Sequence, residues 1–298
     1  MIINDSNLRT IYTGFNGAFT RGFEAAPSHY ESVSMTTVSQ TAEEEYGWLG
    51  NFPGIREWLG DRVIQSLSTY SFSIRNRDFE ATVAVPRNSI EDDRIGLFTP
   101  MMEQLGREAK EHPDRLIFEL IASGFTKPCY DGQYFFDAEH PVTKADGSVI
   151  SVSNMQAGDE PAWYLIDNTR ALRPFIYQKR RPYTFVKKDN PNDDNVFFAK
   201  EYIYGTDGRS NAGFGLWQLA FASKAPLSQV NYEAARKAMT AMRGDQGRLL
   251  GVRPTTLLVP AELEGDGRRL LKTQINTAGA SNEWVESAEL IVTPWLDA

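Results

Sequence analysis

Few residues of this sequence have the type and spacing that metal or acid–base chemistry requires. His140 lies near Asp137 and Glu139, an arrangement that could form a carboxylate metal site. The other histidines, His29 and His112, are far away along the chain, so no zinc-ligand spacing is present. A loop with solvated charges is therefore the better interpretation, and we predict no metal site.

The only cysteine, Cys129, is a possible nucleophile in a Pro-Cys-Tyr loop, but a structural thiol is the commoner case. Gly213-Phe-Gly215 lacks the third glycine of a dinucleotide fingerprint. The acidic run 189–194 lacks the central glycine and closing glutamate of a calcium loop. We find no phosphate loop and no nucleophile elbow. The sequence thus predicts no catalytic residue, no cofactor and no enzyme activity.

A basic cluster remains, formed by Lys179, Arg180 and Arg181 between Tyr177 and Tyr183. Aromatic side chains interleaved with basic ones are typical of nucleic-acid surfaces. Arginine also pairs with carboxylates at protein interfaces. Because the protein is acidic, we favour interface pairing between subunits for these three charges.

Composition limits the function classes. The chain has 298 residues, with 31 Lys and Arg against 39 Asp and Glu, a formal charge of −8. This balance argues against a surface built to hold nucleic acid, although not against a protein that encloses it. One cysteine precludes an intrachain disulfide, which suits a reducing cytoplasm. We see no signal peptide and no apolar stretch near the roughly 20 residues that span a bilayer, so no membrane partner is expected.

The elements that would position contact residues begin with a predicted long β-hairpin. Its arms are 61–74 and 79–85, joined by a polar turn at 75–78, and apolar residues alternate with polar ones in both. A lone two-stranded ribbon is marginal in water, so a projecting hairpin needs cover from another subunit. An ordinary hairpin inside a mixed sheet is an equally weighted alternative.

A long helix is predicted next, from Thr99 to Gly124, with Pro100 at its first position. Pro113 should kink or interrupt it, because proline removes a hydrogen bond and clashes with the preceding turn. Before the hairpin, residues 1 to about 54 read as a short capped helix followed by extended chain. The aromatic residues of this segment favour a contact surface over a flexible terminus. After the helix, aromatic-rich strands run to about residue 224, and a compact α/β lobe is predicted beyond Pro226.

A set of segments in this order resembles the Mu-like phage major head subunit family of the gpT type. The resemblance covers nearly the whole chain and rests on 79–87 with 90–93, Tyr134-Phe-Phe-Asp137 with His140-Pro141, 163–167, 174–178, 213–217, 231–236, 257–260 and 290–294. It implies an α+β protein with the Hong Kong 97-like major capsid fold. The implied parts are an N-terminal arm (1–55), an extended hairpin loop (56–92), a peripheral domain with a spine helix (93–225) and an axial-type domain (226–298).

The resemblance also implies a function: a major capsid protein that self-assembles into an icosahedral shell around the double-stranded DNA of a tailed phage or Mu-like prophage. Hexamers and pentamers of itself are the expected assemblies, formed in the bacterial cytoplasm and carried in the virion. Portal, scaffold or protease, and decoration proteins of the same phage are expected partners, and DNA is enclosed without sequence-specific binding. Two alternatives stay open, an encapsulin-like cargo shell and a cytoplasmic α/β enzyme with an unrecognised site.

The intersubunit contacts expected on this basis fall in three groups. We assign Tyr70, Phe72, Ile74, Arg75, Arg77, Phe79 and Val83 to the hairpin, Tyr12, Phe15 and Phe19 to the arm, and Lys179, Arg180 and Arg181 to interface charges.

Overall fold

A computed structural model describes residues 2–47, 49, 72–144, 146–244, 247–275, 279 and 281–296. The described helices are α1 (Asp5–Ala25), α2 (Tyr30–Val33), α3 (Arg87–Glu91), α4 (Thr99–Ala122), α5 (Gln229–Thr240) and α6 (Glu264–Lys272). The described strands are β1 (Ser34–Val38), β2 (Glu43–Glu45), β3 (Ser73–Arg75), β4 (Arg77–Pro86), β5 (His140–Thr143), β6 (Val149–Val152), β7 (Met155–Gln156), β8 (Trp163–Ile166), β9 (Phe175–Lys188), β10 (Glu201–Phe214), β11 (Ala220–Ser223), β12 (Thr256–Val259) and β13 (Glu289–Val292). None of the described helices is both long and apolar enough to cross a membrane.

Two sheets organise the chain. The first has the order β1-β9-β10-β4, with β9 and β10 forming a long antiparallel pair of 14 residues each. The second has the order β13-β12-β8-β11-β7, and all residues of β8, β11 and β12 are buried. It takes strands from both sides of the boundary predicted at 225/226, so that boundary divides a single sheet. Two two-stranded sheets, β2–β3 and β5–β6, complete the strands described.

Helices α1 and α4 pack on the first sheet and on each other. The ring of Phe15 meets Tyr204 edge to face at 5.0 Å between centroids, and Phe19 lies 5.3 Å from Phe185. The two helices approach so closely that backbone meets backbone. A Cβ built at Gly22 would lie 1.9 Å from the carbonyl oxygen of Glu103, and one built at Gly106 would lie 2.0 Å from that of Phe19. Only glycine leaves room for this contact.

The predicted helices differ from the observed ones in instructive ways. The start of α4 at Thr99 is confirmed. Of the two outcomes predicted at Pro113, an interruption is wrong, since α4 continues through the buried proline to Ala122, and a kink stays a prediction. Helix α1 is also longer than expected, with 21 residues and an Asn4 side chain that accepts from the Asn7 N–H. Packing of these helices against each other outweighs the unfavourable propensities of proline and of glycine.

The predicted tight hairpin turn at 75–78 is wrong. Strand β3 pairs with β2, through Ile74 opposite Glu44, whereas β4 pairs with β10 from Arg77 opposite Ser210 to Pro86 opposite Glu201. The chain before Asn76 therefore belongs to the small β2–β3 sheet, and the chain after it belongs to the first sheet. The Asn76 side chain donates to the Ser39 hydroxyl and the Thr41 carbonyl, which fixes this transition. Most of the first predicted arm, and Tyr70 with it, lies outside the described residues.

Candidate interaction surfaces

Five of the predicted hairpin residues line two neighbouring grooves beside α4: Phe72, Ile74, Arg75, Arg77 and Phe79. The alternation predicted for β4 is confirmed, because Phe79 and Val83 are half-buried and Val85 is fully buried while Glu80 and Thr82 are exposed. Ile74 is 3% exposed and belongs to the subunit's own core, with Phe72 partly buried against it. Arg75 and Arg77 remain exposed.

The first groove, of about 400 Å³, lies between β3, the far end of β10 and α4. Its lining includes Phe72, Ile74, Arg75, Leu116 and Gly213. A Cβ at Gly213 would lie 2.2 Å from the Ile74 side chain, so the absence of a side chain there lets β3 approach β10.

The second groove, of about 390 Å³, runs between β4 and α4 and is lined by Phe79, Leu105, Ala109, His112 and Tyr183 together with charged residues. His112 Nδ1 shares a hydrogen bond of 2.8 Å with Tyr183 Oη, and its ring lies 4.2 Å from that of Phe79. Burial, followed by the positive charges of nearby arginines, lowers the pKa of His112 to about 4. The imidazole is therefore neutral at neutral pH, and it adds to the uncharged part of the groove lining formed by Phe79, Leu105 and Ala109.

The predicted arm residues pack inside their own subunit. Phe15 and Phe19 are 1% and 6% exposed within the core between α1, α4 and the first sheet. Tyr12 is half-buried, donates to the Phe185 carbonyl at 3.3 Å, and has Lys187 Nζ over its ring at 4.8 Å. These rings stabilise the isolated subunit. Their assignment to intersubunit contacts stays a prediction.

Two of the three predicted interface charges already have partners in the same chain. Arg181 forms an ion pair with Asp207, and Arg180 Nη1 donates to the Ser39 carbonyl at 3.2 Å. The backbone carbonyl of Lys179 accepts from the Ser39 N–H at 3.0 Å. These contacts tie β9 to its neighbours, and the assignment of the three charges to interfaces between subunits stays a prediction.

A buried polar cluster formed by Cys129, Asp131, His140 and Asn154 occupies the place where a metal site was considered. The ligand atoms of the first three lie within 4.8 Å of one another. His140 meets Asp131 at 2.7 Å through Nδ1, whereas the predicted partners Asp137 and Glu139 do not form this pair. The Cys129 thiol donates to Asp131 Oδ1 at 3.0 Å. Each group has a hydrogen-bond partner, so the cluster reads as a satisfied internal network.

Asn154 fixes the proton positions in this cluster. Its Nδ2 donates to the Phe135 carbonyl and its Oδ1 accepts from the Asp137 N–H, so His140 Nε2 must be the donor in its 3.2 Å contact with Oδ1. Burial would raise the pKa of Asp131, but the hydrogen bond shared with His140 and the one donated by the Cys129 thiol outweigh burial and hold that pKa below its usual value. Burial and the Asp131 charge raise the pKa of the Cys129 thiol well above its usual range, which makes it a poor nucleophile.

Sequence reasoning missed one exposed feature, the pair Phe197 and Phe198 at the turn between β9 and β10. These side chains are 76% and 80% exposed, and their rings meet edge to face at 5.0 Å. The sequence analysis includes them among the aromatic-rich strands before residue 224, whereas the structure has a π-helical turn at Asn195–Ala199. The signal lay in the sequence, because two adjacent phenylalanines among charged residues cannot both face inward in a strand of period two.

Comparison with known proteins gives these surfaces a context. The family model described as Mu-like prophage major head subunit gpT matches residues 8–296. The major capsid protein of Escherichia phage Mu is 39% identical over 305 residues, covering 99% of this chain and 100% of that protein. The Mu-like prophage FluMu major head subunit of Haemophilus influenzae is 40% identical over 275 residues, covering 90% of this chain and 89% of that protein.

Solved structures agree with these relatives. The procapsid of bacteriophage JBD30 superposes with a TM-score of 0.88 at 41% identity, over 98% of this chain and 100% of that chain. The JBD30 capsid gives a TM-score of 0.78 at 31% identity, over 99% and 100% of the two chains. The α+β capsid fold expected from the sequence is confirmed.

Proposed function

The chain belongs to the Mu-like prophage major head subunit gpT family, and from this premise we propose how its copies build a phage head. It is a major capsid protein of a Mu-like phage, with the Hong Kong 97-like fold, and it is found in the virion. The encapsulin-like and enzyme alternatives have no support among the comparisons.

Copies of the chain assemble as hexamers and pentamers into an icosahedral shell that encloses double-stranded DNA. The observation that carries this proposal is the match to a phage procapsid over nearly the full length of both chains. The formal charge of −8 is consistent with enclosure, because a strongly basic subunit would bind the phosphate backbone over its whole surface.

Neighbouring subunits contact one another through the extended loop and the grooves beside α4. The exposed arginines Arg75 and Arg77 and the half-buried Phe79 line these grooves and are suited to contact with a segment of a neighbouring subunit. Many such contacts, each weak, stabilise a closed shell because every subunit makes all of them at once. Portal, scaffold or protease, and decoration proteins are the further partners we propose.

Electron microscopy after sedimentation tests this function. The chain is expressed with the other head genes of its phage, and separately alone. We expect closed shells in the first case, and shells or sheets of hexamers in the second only if no scaffold is required. A uniform monomer or dimer in the presence of the other head proteins would contradict the proposal.

A further inference from the structure

We propose that Cys129, Asp131 and His140 form a binding site for a divalent transition-metal ion, of which zinc suits the ligands best. This inference concerns the subunit itself and does not depend on how its copies assemble. The ligands are not the Asp137 and Glu139 carboxylates considered from the sequence, because the fold brings Cys129 and Asp131 to the imidazole instead.

The three side chains converge on one buried point. One ligand atom from each of them lies within 4.8 Å of the other two. His140 Nδ1 lies 2.7 Å from Asp131 Oδ2, and Cys129 Sγ lies 3.0 Å from Asp131 Oδ1. A tetrahedral zinc ion holds its nitrogen, oxygen and sulfur ligands roughly 3.3–3.6 Å apart, so side-chain movements of about half an ångström would admit it.

A tight turn positions the first two ligands before any ion binds. The Cys129 N–H donates to the Gln133 carbonyl at 2.8 Å, and the Gly132 N–H donates to the Cys129 carbonyl at 3.1 Å. Gly132 has a φ of +87°, in the left-handed region that glycine adopts without strain. The Gln133 N–H also donates to Asp131 Oδ1 at 3.1 Å, and the other carboxylate oxygen, Oδ2, is the one that meets the imidazole.

The imidazole of His140 is fixed in the tautomer that a metal ligand needs. Its Nε2 donates to Asn154 Oδ1, so a neutral ring carries a lone pair on Nδ1, beside the Asp131 carboxylate. Two acceptors 2.7 Å apart require a positive charge between them, which is either a proton or a metal ion. Histidine ligands of metals donate their other N–H to a fixed acceptor, as His140 does, and its ring is also held by stacking on Trp217 at 3.8 Å.

The exchange of protons for the ion keeps the buried charge at zero. Without metal, one proton lies between His140 Nδ1 and Asp131 Oδ2 and another is on the Cys129 thiol, so the three groups are neutral together. A zinc ion would replace both protons, which pass to solvent, and would bind the imidazole, the carboxylate and the thiolate with no net charge. Because an unbalanced buried charge is costly, this balance favours a dication.

The chemistry of the ligands selects among dications. A thiolate and an imidazole favour zinc over magnesium or calcium, which prefer oxygen ligands. Three protein ligands leave the fourth position of the tetrahedron for water. The ion would join the turn that follows α4 to the start of β5, and it would stabilise the folded subunit.

Equilibrium dialysis of the purified, untagged full-length subunit against zinc tests the site. We expect one zinc per chain by elemental mass spectrometry. Cys129→Ser should weaken binding at least tenfold, since loss of even an outer partner of a metal ligand commonly costs roughly 10- to 100-fold. Serine keeps a donor for Asp131 and should preserve the metal-free network. His29→Gln, which removes an exposed histidine elsewhere, is the matched control and should bind zinc like wild type.

Thermal unfolding of the same proteins separates loss of the ligand from loss of the fold. Without metal, we expect the unfolding midpoints of wild type, Cys129→Ser and His29→Gln to agree. Zinc should raise the midpoint of wild type and of His29→Gln, and raise that of Cys129→Ser much less, because an ion that binds only the folded chain stabilises it by mass action.

Cobalt(II) reports the ligands directly and does not depend on the folding of a variant. The cobalt-loaded wild-type subunit should show a thiolate-to-cobalt charge-transfer band and the strong visible bands of a tetrahedral ion, and zinc should displace both. A wild-type subunit that binds no zinc, equal binding by Cys129→Ser, loss of zinc in His29→Gln, or a cobalt spectrum without the thiolate band would each overturn the inference. None of these results bears on the capsid function, which particle assembly tests separately.

Discussion

The two sheets of this subunit differ in how far the side chains on their faces are buried. In the second sheet β8, β11 and β12 are buried at every position, so their side chains serve stability alone. In the first sheet β4 alternates between half-buried and exposed residues, and β9 is buried only over its first few residues and at Phe185. The two grooves border this first sheet, and so does the exposed pair Phe197 and Phe198 at the turn between β9 and β10. The second sheet is thus enclosed by the subunit's own side chains, whereas the first sheet borders the surfaces that we propose for contacts between subunits.

The largest expected effect is in the second sheet. Replacing Trp163, which is fully buried and donates from Nε1 to the Ala225 carbonyl at 2.8 Å, by alanine should cost about 3–5 kcal/mol of unfolding free energy. Chemical denaturation of the purified subunit measures this. Val230→Ala, at an exposed position of α5, is the control and should change stability little. Equal losses in the two variants would show that Trp163 contributes no more to stability than an exposed side chain does.

A smaller loss is expected where α1 meets α4. Gly106→Ala would place a methyl group 2.0 Å from the Phe19 carbonyl oxygen and push the helices apart, at a cost of about 1–3 kcal/mol. Gly14→Ala is the matched control, because nothing lies within 4 Å of its added Cβ and alanine favours the helix by up to about 1 kcal/mol. Hydrogen exchange of α1 should rise in the first variant and fall in the second. Identical behaviour of the two variants would show that the helices are not in backbone contact.

The remaining effect is a pH dependence in the second groove. The pKa of His112 falls from 6.5 to about 4 on folding, so the unfolded chain binds the proton more readily. Stability should therefore decrease as pH is lowered from about 6.5 towards 4. His112→Gln keeps a polar partner for Tyr183 and should flatten this part of the curve. A wild-type curve that matches the variant between these pH values would exclude the neutral, buried imidazole.

The Asp131 network has a separate pH dependence. Because the pKa of Asp131 is lowered in the folded protein, its ionised carboxylate stabilises the fold at higher pH, and this stabilisation is lost as the pH falls below the usual carboxyl range.

The sequence by itself determined the features that depend on neighbouring residues. Alternation in β4, the start of α4 and the cap of α1 follow from local sterics and hydrogen bonding, so residues near Val83, Thr99 and Asn4 were enough to predict them. The order of short aromatic segments was also sufficient to indicate the family, which the comparisons confirm.

Only the tertiary structure decided which strands pair and which side chains stay exposed. Strand β4 pairs with β10, more than 100 residues later, and nothing in its own sequence records that register. Phe15 is buried and Phe198 exposed, although both are aromatic residues in polar surroundings, because one meets Tyr204 and the other lies beyond the anchored Val196. His140 pairs with Asp131 and not with Asp137 or Glu139, which are closer in the sequence, because folding brings Asp131 within 2.7 Å of its Nδ1. Burial and pairing arise from packing between distant segments, which local propensity does not encode.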